Sequence, residues 1–245
     1  MQQFNQHDFN QVADAESRRR FKVARRRLQT ISGLLEKTAR DIRVLDVGCS
    51  RGSFLAAGTR LGFQMEGVEP AATIAAAARA SGHVVHIGLL DPVGLPPRSF
   101  DAITLFEVVE HLKDPLPLLQ ECRRILRPGG VLVVSTRNTA SWTVAAMRER
   151  WDYFHIAKDG GHISFFNPRS ISLLAARSGY RVERIATTRV KFFEKSDVPR
   201  WRYVAAKLLA EMLNVPARIS GRGRDMLAYL RAEVGNAAAN NVISN

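Results

Sequence analysis

The stretch 43–55, RVLDVGCSRGSFL, constrains this chain more than any other. Val44-Leu45 is a short aliphatic run leading into Asp46. Gly48-Cys49-Ser50-Arg51-Gly52 is a glycine-bearing turn, and 53–61 continues as an apolar helical stretch. The order is strand, tight loop, helix. Glycines at 48 and 52 let backbone approach a ligand where a Cβ would collide. The helix start offers free N–H groups to a carboxylate or phosphate. A dinucleotide fingerprint wants glycine at 48, 50 and 53, but positions 50 and 53 are Ser. A nucleoside-triphosphate loop wants Gly-Lys-Ser/Thr, and no Lys is present.

What remains is Asp46-x-Gly48-x-Ser50-x-Gly52, with Glu69 at the end of the next expected strand, 64–68. This pattern resembles motif I and the acidic loop of the class I S-adenosylmethionine (SAM) methyltransferases. The resemblance implies that Asp46, Gly48, Cys49, Ser50 and Gly52 face the methionine end of SAM. It implies that Glu69, followed by Pro70, binds the ribose hydroxyls; a carboxylate can accept both hydrogen bonds of a vicinal diol. Ser50 departs from the family, which usually has Gly there. S-adenosylhomocysteine would be the product.

The downstream segments SFDAITLFEVVEHLKDP and LLQECRRILRPGGVLVVSTRN read almost as a family consensus, so the resemblance covers about 44–137. From Gly160, GGHISFFNPRSISLLAARSGYRVERI is similar to the subgroup that includes the ubiquinone-biosynthesis O-methyltransferase type. The expected fold is α/β: a Rossmann-like, doubly wound, seven-stranded, mostly parallel sheet. Strand and helix patterns alternate along the chain as such a sheet requires. The resemblance implies that the last strand, 224–231, inserts antiparallel between the fifth and sixth. One domain spans 1–245, with a core at about 40–190 and 223–232, an N-terminal helix at 16–36 and a helical cap at about 191–222. Residues 1–15 and the tail after Glu233 read as loose.

Several local expectations follow. Phe21, Ala24, Leu28, Ile31 and Leu35 recur at steps of three and four. That stripe packs a helix on the core or caps the cofactor, or does both. The loop GLLDPVGLPPRSFD lies against adenine in the family; Leu89 and Leu90 could sandwich the ring or belong to the core. Arg127-Pro128-Gly129-Gly130 reads as a helix stop and turn before a fifth strand at 131–135. Trp201, Val204, Ala205, Leu208, Leu209 and Met212 form an amphipathic stripe flanked by Arg200, Arg202 and Lys207. A substrate lid, a dimer face and a peripheral membrane helix compete for it, and the lid is preferred.

The chemistry of methyl transfer needs an acceptor placed in line behind an activated methyl group, with water excluded. An oxygen acceptor also needs a base, which His supplies near neutral pH. His111, His155 and His162 are candidates; His111 and His162 are expected to border the acceptor pocket. Phe106 and Glu107, at the end of the fourth strand, fall on the cofactor side. If the next segment is helical, Glu107, Glu110 and His111 share one face. With His162 they would then suit Mg²⁺ or Mn²⁺. The E-x-x-E-H pattern also resembles metal-dependent small-RNA 2′-O-methyltransferases. The metal-free site is preferred, with Glu107 near the methionine amino group.

Charge and composition bound the alternatives. The net charge of +13 allows nucleic acid, anionic membrane or anionic substrate as partners. The excess is spread along the chain, so solvated basic faces are preferred to a nucleic-acid groove. An RNA methyltransferase and a catalytically silent SAM-binding module remain the rivals to a methyltransferase acting on a small-molecule acceptor. Only two cysteines, a polar N-terminus and no long apolar run point to a cytoplasmic protein without a transmembrane helix. The oligomeric state is not legible.

Overall fold

The computed structural model describes residues 6–148, 151, 153, 161–193 and 198–233, with side chains from Glu16 onward. Along the chain run α1 (Gln6–Leu35), β1 (Arg43–Val47), α2 (Ser53–Arg60), β2 (Gln64–Glu69) and α3 (Ala72–Ala80). Next come β3 (Val84–Ile87), α4 (Leu90–Val93), β4 (Phe100–Phe106), α5 (Leu116–Ile125) and β5 (Leu126–Arg137). The last elements are α6 (Trp142–Met147), α7 (Pro168–Arg177), β6 (Tyr180–Thr187), α8 (Arg200–Ile219) and β7 (Asp225–Ala232).

The seven strands lie in the order β3-β2-β1-β4-β5-β7-β6. β7 is antiparallel to both β5 and β6, while β1 to β5 pair in parallel. The order reverses at β1 and β4, so a crevice opens beyond the carboxyl ends of these two strands. The resemblance had implied this topology. Successive side chains of β5 alternate between two cores. Leu132 and Val134 pack with α5 and α7, and Val131 and Val133 with α1, α2 and α3. A strand covered on both faces has no polar side to spare, hence its unbroken apolar run.

Two expectations need correction. α1 starts at Gln6, not at 16. The apolar stripe marks only the part of the helix that packs: Ala24, Leu28 and Ile31 are buried. Nothing before Gly33 breaks the helix, because the run from Gln6 holds no Pro or Gly. Nor is Arg127–Gly130 a turn that precedes the fifth strand. β5 already starts at Leu126, and its pairing with β4 jumps from Phe100↔Leu126 to Ala102↔Val131. The extra residues bulge out of the ladder, with Gly129 at φ 74° taking the left-handed conformation that the bulge demands. A smaller difference is the one-turn helix α4 inside the expected loop.

The cap segment forms α8, whose Ala210 and Ala217 pack with Val190, and with the half-buried Trp142, Phe192 and Leu213. Its long apolar stripe is not turned onto the body: Trp201, Leu208 and Met212 are 72, 60 and 77% exposed.

At the amino edge, the buried Asp101 carboxylate ties three segments. It accepts from Lys37 Nζ at 2.7 Å, from the Arg43 amide at 2.9 Å and from Arg127 Nη1 at 2.7 Å. Burial alone would raise its pKa, but these donors outweigh burial and hold it below the usual value. The folded value is the lower one. The stabilisation is therefore complete above the unfolded carboxylate's pKa of about 4 and is lost as pH falls through the folded value. Asp101→Asn should lower stability by about 1–3 kcal/mol at neutral pH, read from denaturant midpoints. The gap between variant and parent should close in acid.

Candidate functional site

The crevice begins at the glycine turn. Gly48 and Gly52 sit at φ 76° and 78°, and a Cβ on Gly48 would lie 2.9 Å from Val108 Cγ2. Ser50 is also left-handed, at φ 50°, where the family usually places glycine. Polar side chains tolerate that region better than branched ones, and such strain collects at functional sites. The Gly48 and Cys49 amides both donate to the Val68 carbonyl, at 2.8 and 3.1 Å. The buried Glu69 carboxylate accepts the Ser50 amide and the Ala71 amide, each at 3.0 Å. Glu69 therefore fixes the turn against the end of β2, with Pro70 exposed beside it.

α1 closes this turn from above. A cavity of about 440 Å³ lies between Asp46, Gly48, Cys49, Ser50, Phe54 and Phe106 below and Arg19, Val23 and Arg27 above. The N-terminal helix thus serves both readings of its stripe, packing and covering. Arg27 stands over the Phe106 ring at 4.2 Å, and Phe106 meets Phe54 edge-on at 4.9 Å. Burial lowers the Arg27 pKa, opposed by Asp46 and Glu107 among others. Sequence reading missed Arg27 because it treated the arginines as solvated. Its place beside Leu28 and three residues after Ala24 was the available signal.

Two carboxyls in the crevice hold protons unusually well. Burial pushes Asp46 up to about 7, partly offset by the Thr104 hydroxyl, which donates to it at 2.6 Å, and by Arg27. Glu107, the residue after Phe106, keeps 46% of its side chain exposed. Desolvation, then repulsion from Glu110, raise it to about 7 against Arg137 and Ser135. Its Oε1 accepts from Ser135 Oγ at 3.0 Å, and Arg137 Nε lies 3.9 Å from Oε2. Burial likewise pushes the Cys49 thiol up to about 12, so it stays protonated.

Next to this lies a polar and aromatic cluster. His162 is buried and stacks on Tyr153 with ring centres 4.1 Å apart; the exposed His111 ring is 4.9 Å from His162. Tyr153 Oη donates to Glu110 Oε1 at 3.0 Å and lies 3.3 Å from Thr136 Oγ1. The Glu110 carbonyl accepts the amides of Ile163 and Ser164, which straps the loop carrying His162 to the turn carrying His111. Among the described residues, Glu110 Oε2 and His162 Nδ1 are buried without a hydrogen-bond partner. His155 lies outside the described residues.

The shared helical face expected for Glu107, Glu110 and His111 does not form. Glu107 is left-handed at φ 55°, and only Val109–His111 makes a 3₁₀ turn. Glu107 turns to Ser135 and Arg137, while Glu110 turns to Tyr153. Among the described residues no three His, Cys, Asp or Glu are grouped to hold a metal ion. In the loop after β3 the two leucines part: Leu90 enters the core, and Leu89 is 65% exposed.

A glycine turn clamped by an acid at the end of β2, at a topological switch point, is the ligand-binding crevice of a Rossmann-like protein. Residues 16–185 match the family model described as a methyltransferase domain, and the chain belongs to that family. Its sheet is shared by solved SAM-dependent methyltransferases. One from Archaeoglobus fulgidus is 20% identical, with a TM-score of 0.60 over 86% of this chain and 94% of that one. Another, from Mesorhizobium loti, is 21% identical, with a TM-score of 0.58 over 83% and 95%. Among curated relatives, the ubiquinone biosynthesis O-methyltransferase of Bradyrhizobium sp. is 36% identical over 135 residues, 52% of this chain and 50% of the relative. The enzyme of that name from Xanthomonas euvesicatoria is 29% identical over 172 residues, 65% of this chain and 70% of the relative. The chain therefore spans about half the length of the first relative and more of the second.

Tyr153 connects the cluster. Tyr153→Phe would leave both carboxylate oxygens of buried Glu110 without a donor among the described residues. It should lower stability by about 1–3 kcal/mol, measured by chemical denaturation. A variant as stable as the parent would show that Glu110 does not depend on the phenol.

Proposed function

We propose that the chain transfers a methyl group from SAM to an oxygen of a small-molecule acceptor. The observation that carries this is the crevice itself. Arg27 and the proton-retaining Asp46 line the cavity at the glycine turn; Glu107 follows Phe106 of its wall, and the His111 and His162 rings stand 4.9 Å apart on segments joined through Glu110. The names of the Bradyrhizobium and Xanthomonas relatives support an oxygen acceptor.

These residues fit SAM by charge and shape. Arg27 suits the methionine carboxylate. Asp46 and Glu107 suit its ammonium. Glu69, Ser50 and Gly48 suit the ribose and the tail that must pass close to backbone. Phe106 and Leu89 offer apolar surface. When bound, SAM supplies a methyl group on a sulfonium, already activated for displacement. The protein's part is to align the acceptor, exclude water and take up a proton. His111, exposed beside His162, is the base that receives the acceptor's hydroxyl proton. His162, packed by Tyr153 and buried, positions His111 and the acceptor. No metal is part of this reading. A cytoplasmic setting fits Cys49 and Cys122, both buried and unpaired. Among the described residues no helix is long and apolar enough to cross a membrane.

The test is incubation with SAM and a metabolite extract, followed by mass spectrometry for compounds one methylene heavier. In that assay His111→Ala should cut turnover by about 10²-fold while sparing SAM affinity. Full activity in both His111→Ala and His162→Ala would overturn the assignment of the imidazoles. Glu69→Ala should weaken SAM binding by roughly 1.5–3 kcal/mol in calorimetry, because it loses a charged acceptor and loosens the turn.

The raised carboxyls give a pH signature. A cationic group beside Asp46 and Glu107 favours their ionised forms, so binding expels protons they hold in the free protein. SAM affinity should therefore rise from about pH 6 to about pH 8, across their values of about 7. Calorimetry in buffers of different ionisation enthalpy should register proton release. A flat profile would remove these two residues from the cofactor site.

A further inference from the structure

α8 is built to lie on a surface. Its exposed large apolar side chains, Trp201, Val204, Leu208, Met212, Val215 and Ile219, follow one another at steps of three and four over the full length of the helix. They stand opposite Ala210 and Ala217, which face the body. Arg200, Lys207 and Arg218 run along one rim of the stripe, and Arg202 along the other. The single acid of the helix, Glu211, lies 3.8 Å from Lys207. So long a run of exposed apolar side chains on one helix is more than scattered surface exposure provides, and it needs an occupant.

We propose that α8 docks this protein on an anionic lipid bilayer, with the apolar stripe in the headgroup and acyl boundary and the basic rims on lipid phosphates. Charge decides between occupants. A bilayer carrying anionic lipid meets both rims with opposite charge, in a chain that is +13 overall. A second copy packed symmetrically on the stripe would set basic rims against basic rims, with Glu211 as the one counter-charge on each helix. Trp201 at the start of the stripe suits the polar–apolar boundary, where an indole ring keeps one end wet. Arg19 links the body-facing side of α8 to the crevice. It lines both the cavity under α1 and a second cavity of about 410 Å³ between α1 and Tyr203, Lys207 and Asn214 of α8.

The proposal is independent of methyl transfer, and SAM affinity measured on the same proteins keeps the two apart. The experiment is flotation of the full chain with vesicles of phosphatidylcholine alone or with about one third phosphatidylglycerol. Binding to the anionic vesicles alone is expected, weakening as salt rises. Leu208→Ser with Met212→Ser should weaken it at least tenfold. Arg200→Gln, Arg202→Gln and Lys207→Gln should each weaken it about fivefold. All five side chains are exposed, so unchanged SAM affinity and circular dichroism should certify folding. No binding of the parent to anionic vesicles, or equal binding by parent and variants, would overturn the proposal. So would a dimer in sedimentation that dissociates in the Leu208→Ser, Met212→Ser protein, since a second copy would then own the stripe.

Discussion

The Glu69 carboxylate makes the crevice possible. By accepting the Ser50 and Ala71 amides it ties the turn after β1 to the end of β2. Parallel pairing alone fixes strand registers, Val47 beside Val68 and Leu105, but leaves the loops beyond free to splay. A carboxylate is suited to the task because it has lone pairs enough for two backbone donors and for further partners. Ser50 is held in a left-handed conformation that it would seldom adopt alone, and the bond to Glu69 helps to hold it there.

Around that turn two carboxyls hold their protons to about neutral pH. Asp46 and Glu107 resist ionisation chiefly through desolvation, with repulsion from Glu110 added at Glu107. Elsewhere the same kind of group behaves oppositely: Asp101, with three donors, stays readily ionised. One residue type thus serves two ends. Donors in contact make a carboxylate structural, and their scarcity leaves it responsive to a ligand.

Much of this was readable from residue order. The glycines at 48 and 52, the acid at 69 and the alternating strand and helix patterns follow from local rules that need no partner. The resemblance added the antiparallel place of β7, which periodicity does not reveal. The reading faltered where long-range contacts choose between local options. Arg127–Gly130 has the composition of a turn, yet pairing of Leu126 with Phe100 draws it into β5 as a bulge. A helical turn after the fourth strand would have set Glu107 beside Glu110 and His111, yet the Glu107 amide donates to the Ser135 carbonyl and its φ is positive. Leu89 and Leu90 are alike in sequence, and only packing sends one to the core and leaves the other outside.

The sequence by itself determined the doubly wound sheet, the glycine turn and its acid, because strand period, turn chemistry and helix starts are properties of short segments. Tertiary structure alone decided that α1 lays Arg27 over Phe106, that Tyr153 joins Glu110 to His162, and that the stripe of α8 points outward. Those three depend on distances between residues far apart in the chain, which are set when the two cores close on the sheet and not by any local preference.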